Sequence, residues 1–126
     1  MGKALMLFIL VFVAGDALPD EGKPRMRPGK FSNYSIETII GGPVIFIIGV
    51  ENVSLSWLKK NSKFFRSKSA IGFVVNAATE AQINSLRKKT EFPQLFALEN
   101  VGDFITEYGL SVYPAFIDTR GGIVAQ

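Results

Sequence analysis

Apolar and polar positions fall into alternating blocks along this chain, and the spacing inside each block predicts its element. "PVIFIIGV", Pro43 to Val50, is an unbroken β-branched and aromatic run, the pattern of a strand buried on both faces. The next block, "ENVSLSWLKKNSKFFRSKS", carries Leu55, Leu58 and Phe65 at helical spacing, with Lys59, Lys60, Lys63 and Arg66 on the wet side. Asn52 or Ser54 is the expected cap. "AIGFVVNA", Ala70 to Ala77, repeats the buried-strand pattern. Thr79 and Gln82 then form a capping box, and Ile83 and Leu86 give that helix its apolar stripe. Arg87, Lys88 and Lys89 close it, at the end where the helix dipole favours cations. A short strand, Leu95 to Leu98, precedes a helix that starts at Asn100, runs through Phe104, Ile105 and Tyr108, and stops at Gly109.

Buried strands alternating with helices of this length predict an α/β fold with parallel strands joined by right-handed crossovers. The last two strands, "AFID" and "IVAQ", are separated only by Thr119, Arg120, Gly121 and Gly122, which predicts an antiparallel hairpin. The expected sheet is therefore mixed, in the order βαβαβαββ. Pro114 stands just ahead of the first hairpin strand. A proline donates nothing to a ladder, so the strand's first position is where it is tolerated.

The two ends of the chain read differently. In "MGKALMLFILVFVAGDALP" a single Lys3 precedes an apolar run from Ala4 to Ala14, and Gly15 and Ala17 are small residues at the −3 and −1 positions of a cleavage site. The run falls short of the roughly 20 residues needed to span a bilayer. Residues 1–17 are read as a cleaved signal peptide, with an uncleaved membrane anchor and a buried core helix as alternatives. Residues 18–33, rich in proline, glycine and charge, are expected to be a flexible linker. Its bases Lys23, Arg25, Arg27 and Lys30 suit a solvated tether, or a contact to an acidic partner or membrane surface. The folded domain is expected over 34–126.

Composition narrows the chemistry. The 126 residues suffice for one domain, and a net charge of +3 falls well short of a dedicated nucleic-acid binder. There is no cysteine and no histidine, which excludes disulfides, thiol and imidazole catalysis and the commonest zinc sites. Glu51, Glu80, Glu91, Glu99, Asp103, Glu107 and Asp118 are scattered, each fitting a cap or a solvated charge. The glycine pairs Gly41–Gly42 and Gly121–Gly122 lack the lysine of a phosphate loop and read as turns. No catalytic residue, metal ligand or cofactor site is expected. Trp57 with Phe64 and Phe65 fits core packing, or an exposed stripe for a partner. Arg87, Lys88 and Lys89 fit a solvated helix end, with contact to DNA as the weaker reading.

A helix ending in "YGL", then "YPAFI" and a glycine hairpin, resembles the end of the thioredoxin fold. The resemblance extends over almost the whole mature chain to the integrating conjugative element proteins of thioredoxin-like, unknown-function type. Its marks are the strand ending in Gly49, the "S..WL" of Ser54, Trp57 and Leu58, and "AIGFVVN" from Ala70 to Asn76. To these are added Leu86 with Arg87, "YP" at Tyr113 and Pro114, and the terminal "GGIVAQ". The architecture is also similar to the pilin-assembly proteins of F-type conjugation. The resemblance implies a cis Tyr113–Pro114 bond and an exported, periplasmic component of a type IV secretion apparatus that moves DNA between cells. Tyr113, Pro114 and Trp57 are then the residues expected to matter for structure or for partner binding.

Departures from thioredoxin are equally informative. "GVENVSLSW" stands where the redox family carries C-x-x-C, and without thiols no mixed disulfide can form. An additional helix and strand intervene over Thr79 to Leu98, and the closing helix is expected to be missing, leaving one flank of the sheet open. Two functions follow as expectations. The first is a non-catalytic module acting by protein–protein contacts with other conjugation-apparatus proteins. The second is a redox-inactive periplasmic chaperone-like module that holds an extended peptide beside Tyr113 and Pro114 by strand addition. Neither needs a small-molecule substrate or direct nucleic-acid contact, and the membrane enters only through residues 1–17 if they stay attached.

Overall fold

The computed structural model describes residues 25–77 and 79–126, so the expected signal segment lies outside the described residues. Its central element is the strand β3 (Val44–Ile48), whose side chains alternate between two cores because successive residues of a strand face opposite ways. Val44, Phe46 and Ile48 enter one core; Ile47 enters the other. The sequence pattern of a strand buried on both faces is met.

Before β3 come two short strands, β1 (Arg27–Pro28) and β2 (Tyr34–Ser35). After it the order is α1 (Asn52–Ser67), β4 (Ile71–Val74), α2 (Glu80–Thr90), β5 (Leu95–Ala97), α3 (Val101–Tyr108), β6 (Val112–Tyr113), β7 (Ala115–Asp118) and β8 (Ile123–Ala125). Six strands form one mixed sheet in the order β2-β8-β7-β3-β4-β5. β3 pairs in parallel with β4, β4 in parallel with β5, and β3 antiparallel with β7. The β7–β8 hairpin is antiparallel, with Phe116 opposite Ala125 and Asp118 opposite Ile123. The fold is α/β, with α1 and α2 on one face of the sheet and α3 on the other. No helix among the described residues is long and apolar enough to cross a membrane.

The first core stacks Phe46 on Phe65 at 4.8 Å between ring centres and sets Phe92 edge-on to Phe46. Gly72 on β4 makes room for this packing: a Cβ there would strike the Phe46 ring and Leu95. Trp57 packs half-buried against this core, 5.3 Å from the Phe65 ring. Phe64, its neighbour in sequence, stays 38 % exposed.

The second core corrects one expectation. Ala115, Ile117 and Val124 on this face are buried, and Met26, Phe31, Tyr34 and Ile36 pack with them. The flank expected to lie open is covered by residues from the stretch before β3. The described part of the stretch expected as a linker over 18–33 contributes to this core and to a strand pair. Met26 is 3 % exposed, and β1 pairs in parallel with β6 through hydrogen bonds from Arg27 N to Ser111 O and from Gly29 N to Tyr113 O. Gln126 Nε2 closes the arrangement by donating to Gly29 O at 2.6 Å and Pro114 O at 2.9 Å. One buried methionine and a few backbone bonds join to the core a segment whose composition alone reads as tether.

Candidate functional site

The carboxyl end of β3, the start of α1, the end of β4 and the β6–β7 junction converge at one point. β3 runs into Gly49, whose N–H donates to Ser54 Oγ at 2.9 Å. Ser54, expected as a possible cap of α1, lies instead inside the helix and is fully buried. The cap position belongs to Glu51, which is extended there (φ −76°, ψ 157°) and makes no capping bond with its side chain. Its carbonyl accepts from Ser54 N and Leu55 N, starting the helix.

Glu51 turns its carboxylate to Tyr113. The phenol donates to Glu51 Oε2 at 2.6 Å and accepts from Asn76 Nδ2 at 3.0 Å. Asn76 sits just beyond β4 in the left-handed region (φ 66°), a conformation that asparagine tolerates better than most residues. The other carboxylate oxygen, Glu51 Oε1, is buried and has no hydrogen-bond partner. Gly49 makes the approach possible: a Cβ there would collide with Glu51 Oε1 and with the Tyr113 ring. The Tyr113–Pro114 bond is cis, and both residues are buried.

Electrostatics fixes the protonation of the phenol. Burial pushes the Tyr113 pKa up to about 12, the bond to the Glu51 carboxylate adds to the rise, and the Asn76 bond opposes it. At neutral pH Tyr113 is therefore an uncharged donor, bonded to an acceptor already in place. Such a phenol is a bolt between β6 and the head of α1, and a poor nucleophile or base. Among the described residues no group of three or more acidic side chains is placed to hold a metal ion.

Of the three residues singled out from the sequence, Tyr113 and Pro114 belong to this junction. Trp57 does not, being committed to the first core. Sequence reasoning passed over Glu51 as a cap or solvated charge and left Asn76 without a role. Glu51 and Tyr113 lie 62 positions apart, so only the folded chain joins them. The available signal was the combination of Gly49 and Glu51 directly after a doubly buried strand.

Within the basic run at the end of α2, Arg87 is more engaged than a solvated helix end. Arg87 folds back so that Nε and Nη2 donate to Leu95 O at 3.0 and 2.7 Å, while Nη1 pairs with Glu80 at 3.2 Å. Its guanidinium lies over the Phe96 ring, 5.8 Å from the centre. Arg87 thus ties α2 to β5, the strand at one edge of the sheet.

Comparison with known proteins gives a family and no assigned activity. No curated protein and no solved structure matches the chain. Residues 10–123 match the model of a family described as protein of unknown function (DUF2859), and the chain belongs to that family.

Proposed function

We propose that this chain is a redox-inactive, thioredoxin-like component of a conjugative DNA-transfer apparatus, exported to the periplasm and acting through protein–protein contacts. One observation carries the non-catalytic part of the reading. At the head of α1, where the resemblance to thioredoxin puts C-x-x-C, this chain reads "GVENVSLSW", with Glu51 and Ser54 in it. Both are engaged internally, Glu51 by the Tyr113 phenol and Ser54 by the Gly49 amide. The thioredoxin-like order is supported by a central β3 between parallel β4 and antiparallel β7, with the cis Tyr113–Pro114 bond beside the head of α1. Its assignment to conjugation rests on the sequence resemblance.

Strand addition beside Tyr113, the peptide-holding alternative, meets a specific obstacle. The β6 edge does accept an extended chain, but the occupant is the protein's own Arg27–Pro28. A foreign peptide would have to displace it and the buried Met26. That makes the contact reading the stronger one.

Deleting the gene from a donor strain tests the proposal. The expected result is a reduced transfer frequency, restored by the wild-type gene supplied in trans. Undiminished transfer from the deletion strain would detach the protein from conjugation.

A further inference from the structure

Charge is distributed unevenly over the two faces of this sheet. α1, sixteen residues long, carries Lys59, Lys60, Lys63 and Arg66 and no carboxylate. Lys68 follows it, and Arg87, Lys88 and Lys89 fill the last turn of α2 on the same face. On the opposite face, α3 and its flanks carry Glu99, Asp103 and Glu107, with no base between Glu99 and Ser111. These acids recur every four residues and are all exposed, while Phe104 between them points inward. The bases Arg25, Arg27 and Lys30 share that side of the sheet, near β1.

Arg66 and Arg87 are tied down within the fold by bonds to backbone carbonyls, and Arg87 by an ion pair as well, but among the described residues the other charges of both sets form no ion pair. Among the described residues the one ion pair is Arg87 with Glu80. Lys59, Lys63 and Lys89 on one face, and Glu99, Asp103 and Glu107 on the other, take part in none.

Between α1 and the end of α2 runs a groove of about 470 Å³ with Leu55 and Leu58 in its floor. Lys59 and Arg66 line it from α1 and Lys89 from α2, with Glu91 its one carboxylate. Arg66 is held in place by bonds to Thr90 O and Glu91 O at 3.3 and 3.1 Å and by the Phe92 ring beneath it. The bases from Lys59 to Arg66 extend over about 10 Å of α1, and the two acids within α3, Asp103 and Glu107, over about 6 Å, at 1.5 Å per residue.

We propose that this groove takes the acidic α3 of a second copy of the chain, so that copies associate head to tail. A short helix with two carboxylates, Asp103 and Glu107, and a third, Glu99, just ahead of its cap matches a short concave site with bases on both walls. Groove and helix lie on opposite faces of the sheet, so the contact is heterologous. A second copy leaves its own groove free for a third, and association proceeds as a line instead of closing on a dimer. The proposal does not depend on the conjugation reading, because it uses only the charges of this chain. Exposed ion pairs are individually weak and are screened by salt, so the association is concentration-dependent and strongest at low ionic strength.

Sedimentation of the full-length protein tests this. At about 25 mM salt the mean mass should rise with concentration, and at about 0.5 M the apparent association constant should fall at least tenfold. Two charge reversals sharpen the test. Glu99→Lys with Asp103→Lys and Glu107→Lys puts bases on α3 as well as on the groove, and Lys59→Glu with Lys63→Glu and Lys89→Glu puts acids on the groove as well as on α3. Each variant alone should stay monomeric at low salt, with unchanged circular dichroism, and mixing the two should restore association. A wild-type chain that stays monomeric at low salt would overturn the proposal. So would association that salt leaves unaffected or strengthens, or reversed variants that fail to combine. Binding of a fluorescent single-stranded oligonucleotide by a wild-type chain that stays monomeric, lost in the lysine reversal, would give the groove to a polyanion and likewise refute the self-contact.

Discussion

Tyr113 has no exposed surface, yet its hydroxyl meets two polar partners, and that combination sets its behaviour with pH. In the unfolded chain the phenol titrates near 10.0; in the folded protein it holds its proton to about 12. Between these values the native state binds the proton that the unfolded state has lost, so stability falls as pH rises. The contribution is fully present below pH 10 and is lost towards 12. Burial raises Tyr34 and Tyr108 in the same direction. The melting temperature should therefore drop through this alkaline window, and Tyr113→Phe should show a shallower drop. At neutral pH the same substitution removes the one donor to Glu51, whose other oxygen already lacks a partner. A loss of about 1–3 kcal/mol is expected from chemical denaturation. Adding Glu51→Met, which removes the stranded carboxylate, should recover part of it. Gly49→Ala should cost a similar amount by forcing the carboxylate or the Tyr113 ring aside.

At the scale of elements, what was legible is what repeats. β3, α1, β4, α2 and α3 each bury enough periodic apolar positions to announce themselves, and the glycine turn fixed the β7–β8 hairpin. The two-residue strands β1, β2 and β6 are too short for any period of two to show, and their partners are distant in sequence. Met26 is the instructive case. A single apolar residue among prolines, glycines and bases carries no pattern, yet it is buried in the second core. Met26→Ala should cost about 2–5 kcal/mol, as truncation of a buried side chain does. It should also speed amide exchange at Arg27 and Gly29, whose N–H groups bond to Ser111 and Tyr113. If residues 25–33 were a tether, neither quantity would move. Arg87 makes the parallel point for α2, since its role depends on Leu95, eight positions away. Arg87→Ala removes two bonds to that carbonyl and should loosen β5, costing about 1–2 kcal/mol in denaturation.

For the whole molecule, the proposed contact function and a hidden enzymatic one diverge at Glu51. It is the carboxylate built into the junction of β3, α1 and β6, so a catalytic reading has to begin there. Were it a general base, Glu51→Gln would abolish function while leaving the fold intact, because an amide keeps the shape and an acceptor for Tyr113 but cannot take a proton. If the protein works through contacts, the same variant should restore transfer to a deletion strain in proportion to its folded amount. Comparing transfer frequency with the protein level on a blot separates the two. A stable Glu51→Gln protein that fails to complement would point to chemistry at this junction. The purified wild-type chain, lacking cysteine altogether, should show no turnover in a disulfide-reduction assay with a small-molecule thiol as reductant. Full complementation and no turnover together would leave the surface of the domain, with its basic groove and acidic α3, as the part of the molecule that acts.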